Sequence, residues 1–321
     1  MELFAHHCPL GARPPDTHCV RRASGATPGR EPGGPMVRRT RRAFVVTLGA
    51  ALAGGAAAPA FAGTRLPKAE RPLARAHAHN DYEHPRPLTD ALSHGFGSVE
   101  ADIWLADGEL LVAHDATELD PTRTLESLYL DPLARRVKAG GGRVYPGYGL
   151  SLQLLIDLKT PGEPTYLALA KRLRRYGPLF SAAYGGVGGR VRRGPVTAVI
   201  SGDRGARAPM EAEKVRHAFY DGRLEDLGSG VPASFIPLIS ADWTKSFTWT
   251  GAGPIPAVER ATLRRLVASA HAARQAVRFW ATPDVAGPER DALWRELLAA
   301  DVDYLNTDDL AGLEAFLRGA H

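Results

Sequence analysis

From residue 73 onward, short apolar runs rich in β-branched and aromatic residues alternate with longer stretches whose apolar positions recur at helical spacing. That alternation marks a parallel sheet whose strands are joined by helical crossovers. The runs place strands over 73–78, 98–105, 153–158, 196–201, 235–240, 277–280 and 304–307, with a weaker one near 218–220. A second extended piece, 110–114, follows the second strand. Over 165–176 the apolar positions Leu167, Ala170 and Leu173 with basic residues between them describe a surface helix. The Pro-bounded stretch 88–94 and the amphipathic stretches 256–274 and 289–300 are further helices. Eight strands with intervening helices fit a single-domain (β/α)8 TIM barrel. No Gly-rich phosphate loop follows the first strand. The Gly-rich residues 184–194 lie before a strand, lack the required Lys, and read as a flexible surface loop.

The first 62 residues change the picture of the charge. Arg38-Arg39-Thr40-Arg41-Arg42 leads into an apolar run that ends at Ala60-Phe61-Ala62, the layout of a signal peptide with a twin-arginine motif and cleavage after Ala62. The run is short for a membrane anchor. Met36 precedes the arginines, so residues 1–35 read as an upstream misreading of the start. The whole chain holds 40 Lys+Arg and 35 Asp+Glu; residues 1–62 hold 8 and 3, which leaves 32 and 32. Residues 63–321 are thus formally neutral, and charge gives no argument for nucleic-acid binding. Cys8 and Cys19 both fall in the leader, so the rest of the chain has neither disulfide nor thiolate chemistry. A secreted or envelope-located protein is expected, monomeric, with its catalytic barrel over 63–321.

Ionisable residues cluster at expected strand ends, where barrel chemistry is built. The first strand ends in His77-Ala78-His79-Asn80-Asp81, the second carries Glu100-Ala101-Asp102, the extension holds His114-Asp115, and the third ends in Asp157-Leu158-Lys159. Residues two apart in a strand share a face, so Glu100 and Asp102 project together, as do Asp157 and Lys159. Three carboxylates in one cavity repel unless a hard cation relieves them, which points to Mg²⁺ or Ca²⁺ with Asn80 as an added oxygen ligand. Zinc would want more imidazole or thiolate.

The segments AHAHNDYEHPRPLTDAL, GSVEADIWLADGELLVAHD and LLIDLK resemble the phospholipase-C-like and glycerophosphodiester phosphodiesterase superfamily. The likeness is greatest to bacterial members related to the altered-inheritance-of-mitochondria-6 group, and the arrangement also resembles sphingomyelinase D. VRFWATPD and YLNTDDL look like the last two strands of that barrel. The resemblance implies a metal-dependent phosphodiesterase with His79 and His114 as the two catalytic histidines. It also implies Glu100, Asp102 and Asp157 as metal ligands and Lys159 as a phosphate contact. His79-Asn80 stands where glycerophosphodiesterases usually carry His-Arg-Gly, and resembles the His-Asn of metal-dependent phosphoinositide phospholipases C. The expected substrate is a soluble phosphodiester or a phospholipid headgroup, reached by transient contact with a membrane surface.

Other positions carry weaker expectations. His77 either joins the chemistry or braces the site, Asp81 orients His79 or caps the turn, and Trp280 walls the pocket or packs in the core. Arg204 either contacts phosphate or is simply exposed. His84, His94, His217 and His271 read as surface or helix-cap residues, and Asp308 and Asp309 as caps of the last helix. Asp242, Trp243, Lys245 and Trp249 are candidates for setting selectivity. Two rival readings are a metal-dependent amidohydrolase, for the HxH at the first strand end, and a non-catalytic binder of lipid headgroups or glycans.

Overall fold

The computed structural model describes residues 71–319, so the leader expected over residues 1–62 lies outside the described residues. Eight strands form the barrel: β1 Leu73–Ala78, β2 Phe96–Ala106, β3 Leu152–Leu158, β4 Val196–Gly202, β5 Phe219–Gly222, β6 Leu238–Asp242, β7 Ala276–Trp280 and β8 Tyr304–Thr307. Each pairs in parallel with its successor, and β8 returns to β1 through Ala76 opposite Leu305 and His77 opposite Asn306. The ring is closed, so it leaves no parallel edge unpaired. The extra piece Glu109–Val112 runs antiparallel to the end of β2.

The helices are α1 Thr89–Ser93, α2 Asp131–Ala139, α3 Gly162–Arg175, α4 Arg207–Ala212, α5 Trp243–Ser246, α6 Ala257–Ala272, α7 Pro288–Ala299 and α8 Leu310–Gly319. Between β5 and β6 the crossover has only a 3-10 turn, Leu224–Asp226. The main core lies between the strands' outer faces and the helices, where Ile103, Ile156, Ile200, Leu169, Leu263 and Trp294 are buried. Among the described residues no helix is long and apolar enough to cross a membrane.

Three expectations are corrected. On α3 the buried stripe is Tyr166, Leu169, Ala170 and Leu173, whereas Leu167 is 43% exposed. The Gly-rich stretch 184–194 is no plain loop: Ala182–Tyr184 and Arg190–Arg192 pair as a hairpin, and Val215–Arg216 adds a third strand. Trp243 and Trp249 are buried, and Trp243 stacks on Phe247 at 4.1 Å between ring centres, so these two indoles belong to the core rather than to a selectivity surface. The barrel interior also differs from the apolar filling usual in this architecture. Its apolar layer is thin, made of Leu155, Val199, Phe219 and Leu238 with Ala276 and Tyr304 beside them. Buried polar side chains, including His77, Ser98, Glu100, Asp102, Ser201, Asp221, Ser240, Arg278 and Asn306, fill much of the rest. Most of their polar atoms are hydrogen-bonded, since stranding one away from water costs about 1–3 kcal/mol, but Asp102 Oδ1, Asp221 Oδ1 and Ser240 Oγ are buried without a partner among the described residues.

Candidate functional site

The site opens at the C-terminal ends of the strands as a cavity of about 240 Å³, lined by His79, Asn80, Glu100, His114, Asp157, Lys159, Ser201, Arg223, Ser240, Arg278 and Trp280. Six of the seven residues expected from sequence line it. Asp102 is 1% exposed and stands behind Lys159 and Tyr82, not on the wall. Strand register explains the gathering: Asp102 lies opposite Asp157 across β2 and β3, and Asp157 lies opposite Ser201 across β3 and β4. Gly202 keeps space beside Asp157; its φ is +77°, and a Cβ there would meet Asp157 Oδ1 at 2.7 Å and the Leu158 backbone nitrogen at 2.4 Å.

His79 follows the end of β1, where its backbone nitrogen donates to the Thr307 carbonyl. Asn80 then takes a left-handed conformation, φ 46° and ψ 41°, which stops the strand and turns the chain across the cavity. His79 Nδ1 lies 2.8 Å from Asp308 Oδ1. Burial disfavours a charged imidazole here, but the Asp308 hydrogen bond and the nearby Glu100 outweigh it, so the His79 pKa is raised. On the other histidine, His114 Nδ1 lies 3.0 Å from the Tyr82 hydroxyl and 3.4 Å from Asp102 Oδ2. Both rings use Nδ1 for the protein, and among the described residues neither Nε2 has a hydrogen-bond partner.

The acidic groups are held by cations of the chain itself. Lys159 Nζ lies 2.9 Å from Asp102 Oδ2 and 3.2 Å from Asp157 Oδ1. Burial pushes Asp102 up to about 6, helped by the charge of Glu100 and opposed by Lys159 and the Tyr82 hydroxyl, which donates to it at 2.6 Å. Burial also raises Asp157 against the pull of Lys159. The two aspartates outweigh burial at Lys159 and keep its ammonium charged. Glu100 is handled differently. Burial works against its charge, yet Arg278 at 2.7 Å and His77 at 3.0 Å hold the carboxyl well below the usual carboxylate range.

Among the described residues no three His, Cys, Asp or Glu side chains stand at metal-binding spacing, because the carboxylates close onto Lys159 and Arg278 rather than onto one another. Oxygens of the kind a hard cation takes are nonetheless present. Among the described residues Asp102 Oδ1 is buried without any hydrogen-bond partner, and Glu100 and Asp157 each commit one oxygen to the chain's own side chains and leave the other without a partner. The Asn80 amide oxygen lies 3.1 Å from the Tyr82 hydroxyl, whose one proton goes to Asp102, and so keeps lone pairs of its own.

Several residues take roles that sequence reasoning left open or missed. His77 is fully buried and does not line that cavity; burial and Arg278 lower its pKa to about 4. Asp81 caps the turn, accepting from the Leu88 backbone nitrogen and the Tyr129 hydroxyl, and does not touch His79. Trp280 walls the cavity. Arg204 stacks over Tyr220 and donates to the Asp221 carbonyl, beside a neighbouring cavity that Asp242 and Lys245 also line. Asp309 caps α8 through the Gly312 nitrogen as expected, but Asp308 turns away to His79. Tyr82, Arg278 and Arg223 were not anticipated. Arg278 occupies the inward position two before Trp280 on β7, so the strand period alone could have found it. An amidohydrolase site would draw on histidines from the fifth and sixth strands, and β5 and β6 carry none.

Two family models match this chain. Residues 69–141 match the AIM6-like phosphodiesterase domain, which spans β1, β2 and most of the site's first half. Residues 276–311 match the glycerophosphoryl diester phosphodiesterase family, spanning β7 and β8. A solved glycerophosphoryl diester phosphodiesterase from Parabacteroides distasonis is similar at 13% identity and a TM-score of 0.43, over 78% of this chain and 88% of that one. Altered inheritance of mitochondria protein 6 homolog of Arthroderma benhamiae is 29% identical over 75% of this chain and 82% of its own length. Altered inheritance of mitochondria protein 6 of Eremothecium gossypii is 31% identical over 76% of this chain and 69% of its own length. At 31% identity over 76% of its length, the chain belongs to the altered inheritance of mitochondria protein 6 family.

Proposed function

We propose that this protein is an exported, metal-dependent phosphodiesterase in which His79 and His114 move the protons. The observation that carries the reading is that both imidazoles line one small cavity, each pinned at Nδ1 and without a partner among the described residues at Nε2. Two positioned groups that exchange protons near neutral pH are what phosphodiester cleavage requires from side chains. His79, made more basic by Asp308, takes the proton from an attacking hydroxyl of the substrate itself. That oxygen bonds to phosphorus, the bond from phosphorus to the leaving alcohol breaks, and His114 gives the departing oxygen its proton. The cyclic phosphate so formed is released or opened by water with the two roles exchanged.

Charge neutralisation is the other demand. Lys159 and Arg223 reach the cavity with positive charge, and Arg223 is kept in place by Asp221 at 2.6 Å and Ser201 at 3.1 Å. Glu100, Asp102, Asp157 and Asn80 would hold a Mg²⁺ or Ca²⁺ ion, which offsets phosphate charge and lowers the pKa of a nearby hydroxyl. The substrate is a glycerophosphodiester or a phospholipid headgroup met at a membrane surface by a monomeric, secreted or envelope-bound enzyme. A panel of bis(4-nitrophenyl) phosphate, glycerophosphodiesters, phosphatidylinositol and sphingomyelin, followed by phosphorus NMR, tests this. Metal-restored turnover of at least one member supports it; no turnover with either Mg²⁺ or Ca²⁺ leaves a binding protein instead.

A further inference from the structure

One buried histidine has no part in the proton transfers above. His77 sits on β1 with 0% exposure, side by side with Ser98 on β2, and Ser98 lies in turn beside Gln153 on β3. Gln153 Nε2 donates to Ser98 Oγ at 2.9 Å, Ser98 Oγ lies 2.7 Å from His77 Nδ1, and His77 Nε2 lies 3.0 Å from Glu100 Oε2. At its far end Glu100 Oε2 also receives Arg278 Nη2 at 2.7 Å, while Arg278 Nε donates to Asn306.

The direction of this chain is fixed by its chemistry. With the arginine donating to it, Glu100 is a carboxylate and can only accept. A ring lone pair 3.0 Å from that carboxylate would be repelled, so Nε2 must carry the hydrogen. In a neutral ring Nδ1 is then an acceptor, and the Ser98 hydroxyl must donate to it. Ser98 keeps a lone pair for the Gln153 amide, so every member is satisfied in one sense only. A chain buried this deeply has no water to substitute for a lost link, so a broken link is costly.

We infer that His77 is a positioning residue for Glu100: the carboxylate fixes the Nε2–H tautomer, the Ser98 hydroxyl and Gln153 amide brace the ring from Nδ1, and His77 with Arg278 occupies Glu100 Oε2 so that Oε1 is the oxygen presented to the cavity. Ligands held from behind in this manner bind metal more tightly, and losing the support costs about 10- to 100-fold in affinity or activity. This inference rests on the proposed role of Glu100 as a metal ligand, but its tautomer claim stands apart from activity.

The test uses the chain in its folded form with ¹⁵N-labelled histidine. His77 is expected as the neutral Nε2–H tautomer, and Ser98→Ala, which removes only the donor to Nδ1, is expected to keep it because Glu100 alone demands that hydrogen. His77→Gln retains an N–H toward Glu100, whereas His77→Leu retains none. With Mn²⁺ as the probe, followed by electron paramagnetic resonance, His77→Leu is expected to bind about tenfold more weakly and His77→Gln nearly as well as the parent. On bis(4-nitrophenyl) phosphate the loss should fall on kcat more than on KM. An Nδ1–H tautomer overturns the inference, as does a folded His77→Leu protein that binds Mn²⁺ and turns over like the parent. If His77→Leu fails to fold, the tautomer and the Ser98→Ala protein decide. If the parent neither binds Mn²⁺ nor hydrolyses any diester, the phosphodiesterase reading fails, and the ¹⁵N spectrum alone decides for or against the chain.

Discussion

His79 Nδ1 lies 2.8 Å from Asp308 Oδ1, a contact between residues 229 positions apart that β8 makes by closing the barrel beside β1. Asp308 is itself fixed, since its backbone nitrogen donates to Asp284 Oδ2 at 2.6 Å and Asp284 also holds the Thr307 hydroxyl. The pair orients the His79 ring and raises its pKa against the effect of burial.

A base must be neutral to accept a proton, so the acid limb of the rate profile should lie above the ordinary histidine value near 6.5. Asp308→Asn removes the charge that raises it. The limb should move to lower pH, and kcat should fall by about 10²-fold or more as the ring loses its orientation. The measurement is kcat/KM against pH for both proteins; an unmoved limb would separate Asp308 from the chemistry.

Tyr82 ties the two halves of the site together, with one hydroxyl at 2.6 Å from Asp102 and 3.0 Å from His114. Tyr82→Phe leaves Asp102, which is already raised to about 6, with one fewer donor. A stability loss of about 1.5–3 kcal/mol in urea unfolding is expected for a hydrogen bond to a charged group. Turnover should fall by about 10- to 100-fold as His114 loses its anchor.

Much of this arrangement could be read from the order of residues. Alternating apolar runs gave the strands because each barrel strand is short and buried, and ionisable residues at strand ends marked the mouth. What escaped has a physical reason in each case. Asp308 looks like a helix cap because it directly precedes Asp309, and only the closure of β8 onto β1 turns it to His79. Arg278 lies in a run that reads as apolar strand, and its value appears only when Glu100 is placed across the interior. Leu167 misled because the helical repeat over 162–175 admits two apolar stripes, and packing against the barrel chose the one with Tyr166 and Leu169. The hairpin at 182–192 depends on pairing with Val215–Arg216, which no local pattern announces.

Trp243 offers a check on the corrected role of the indoles. Its Nε1 donates to the Trp249 carbonyl, and its ring is enclosed by Phe247 and Phe279. Trp243→Ala should cost about 3–5 kcal/mol of stability through the cavity it leaves. Substrate preference among those diesters that are still hydrolysed should stay the same. A stable protein with altered preference would restore a selectivity role.

Asp81 should write a pH dependence into stability. Burial pushes its carboxyl up to about 7, partly offset by donors from Leu88 and Tyr129. The folded state therefore holds the proton more tightly than the unfolded chain. The stability this gives is complete below the unfolded value near 4 and is lost as pH rises toward 7. Asp81→Asn can still accept both donors without ionising. The difference in unfolding free energy between parent and Asp81→Asn should shift in favour of the variant from pH 4 to pH 7; a constant difference would show that Asp81 does not titrate in that window.

The central claim is that the two imidazoles pinned at Nδ1 carry the proton transfers of a metal-assisted phosphodiester cleavage. It is tested most directly by turnover of one accepted diester under saturating Mg²⁺ or Ca²⁺ for the parent, His79→Ala and His114→Ala, with folding checked by circular dichroism. Each substitution is expected to remove about 10²- to 10⁴-fold of kcat in a folded protein. If either folded variant keeps near-parental turnover, the assignment of the two histidines is wrong.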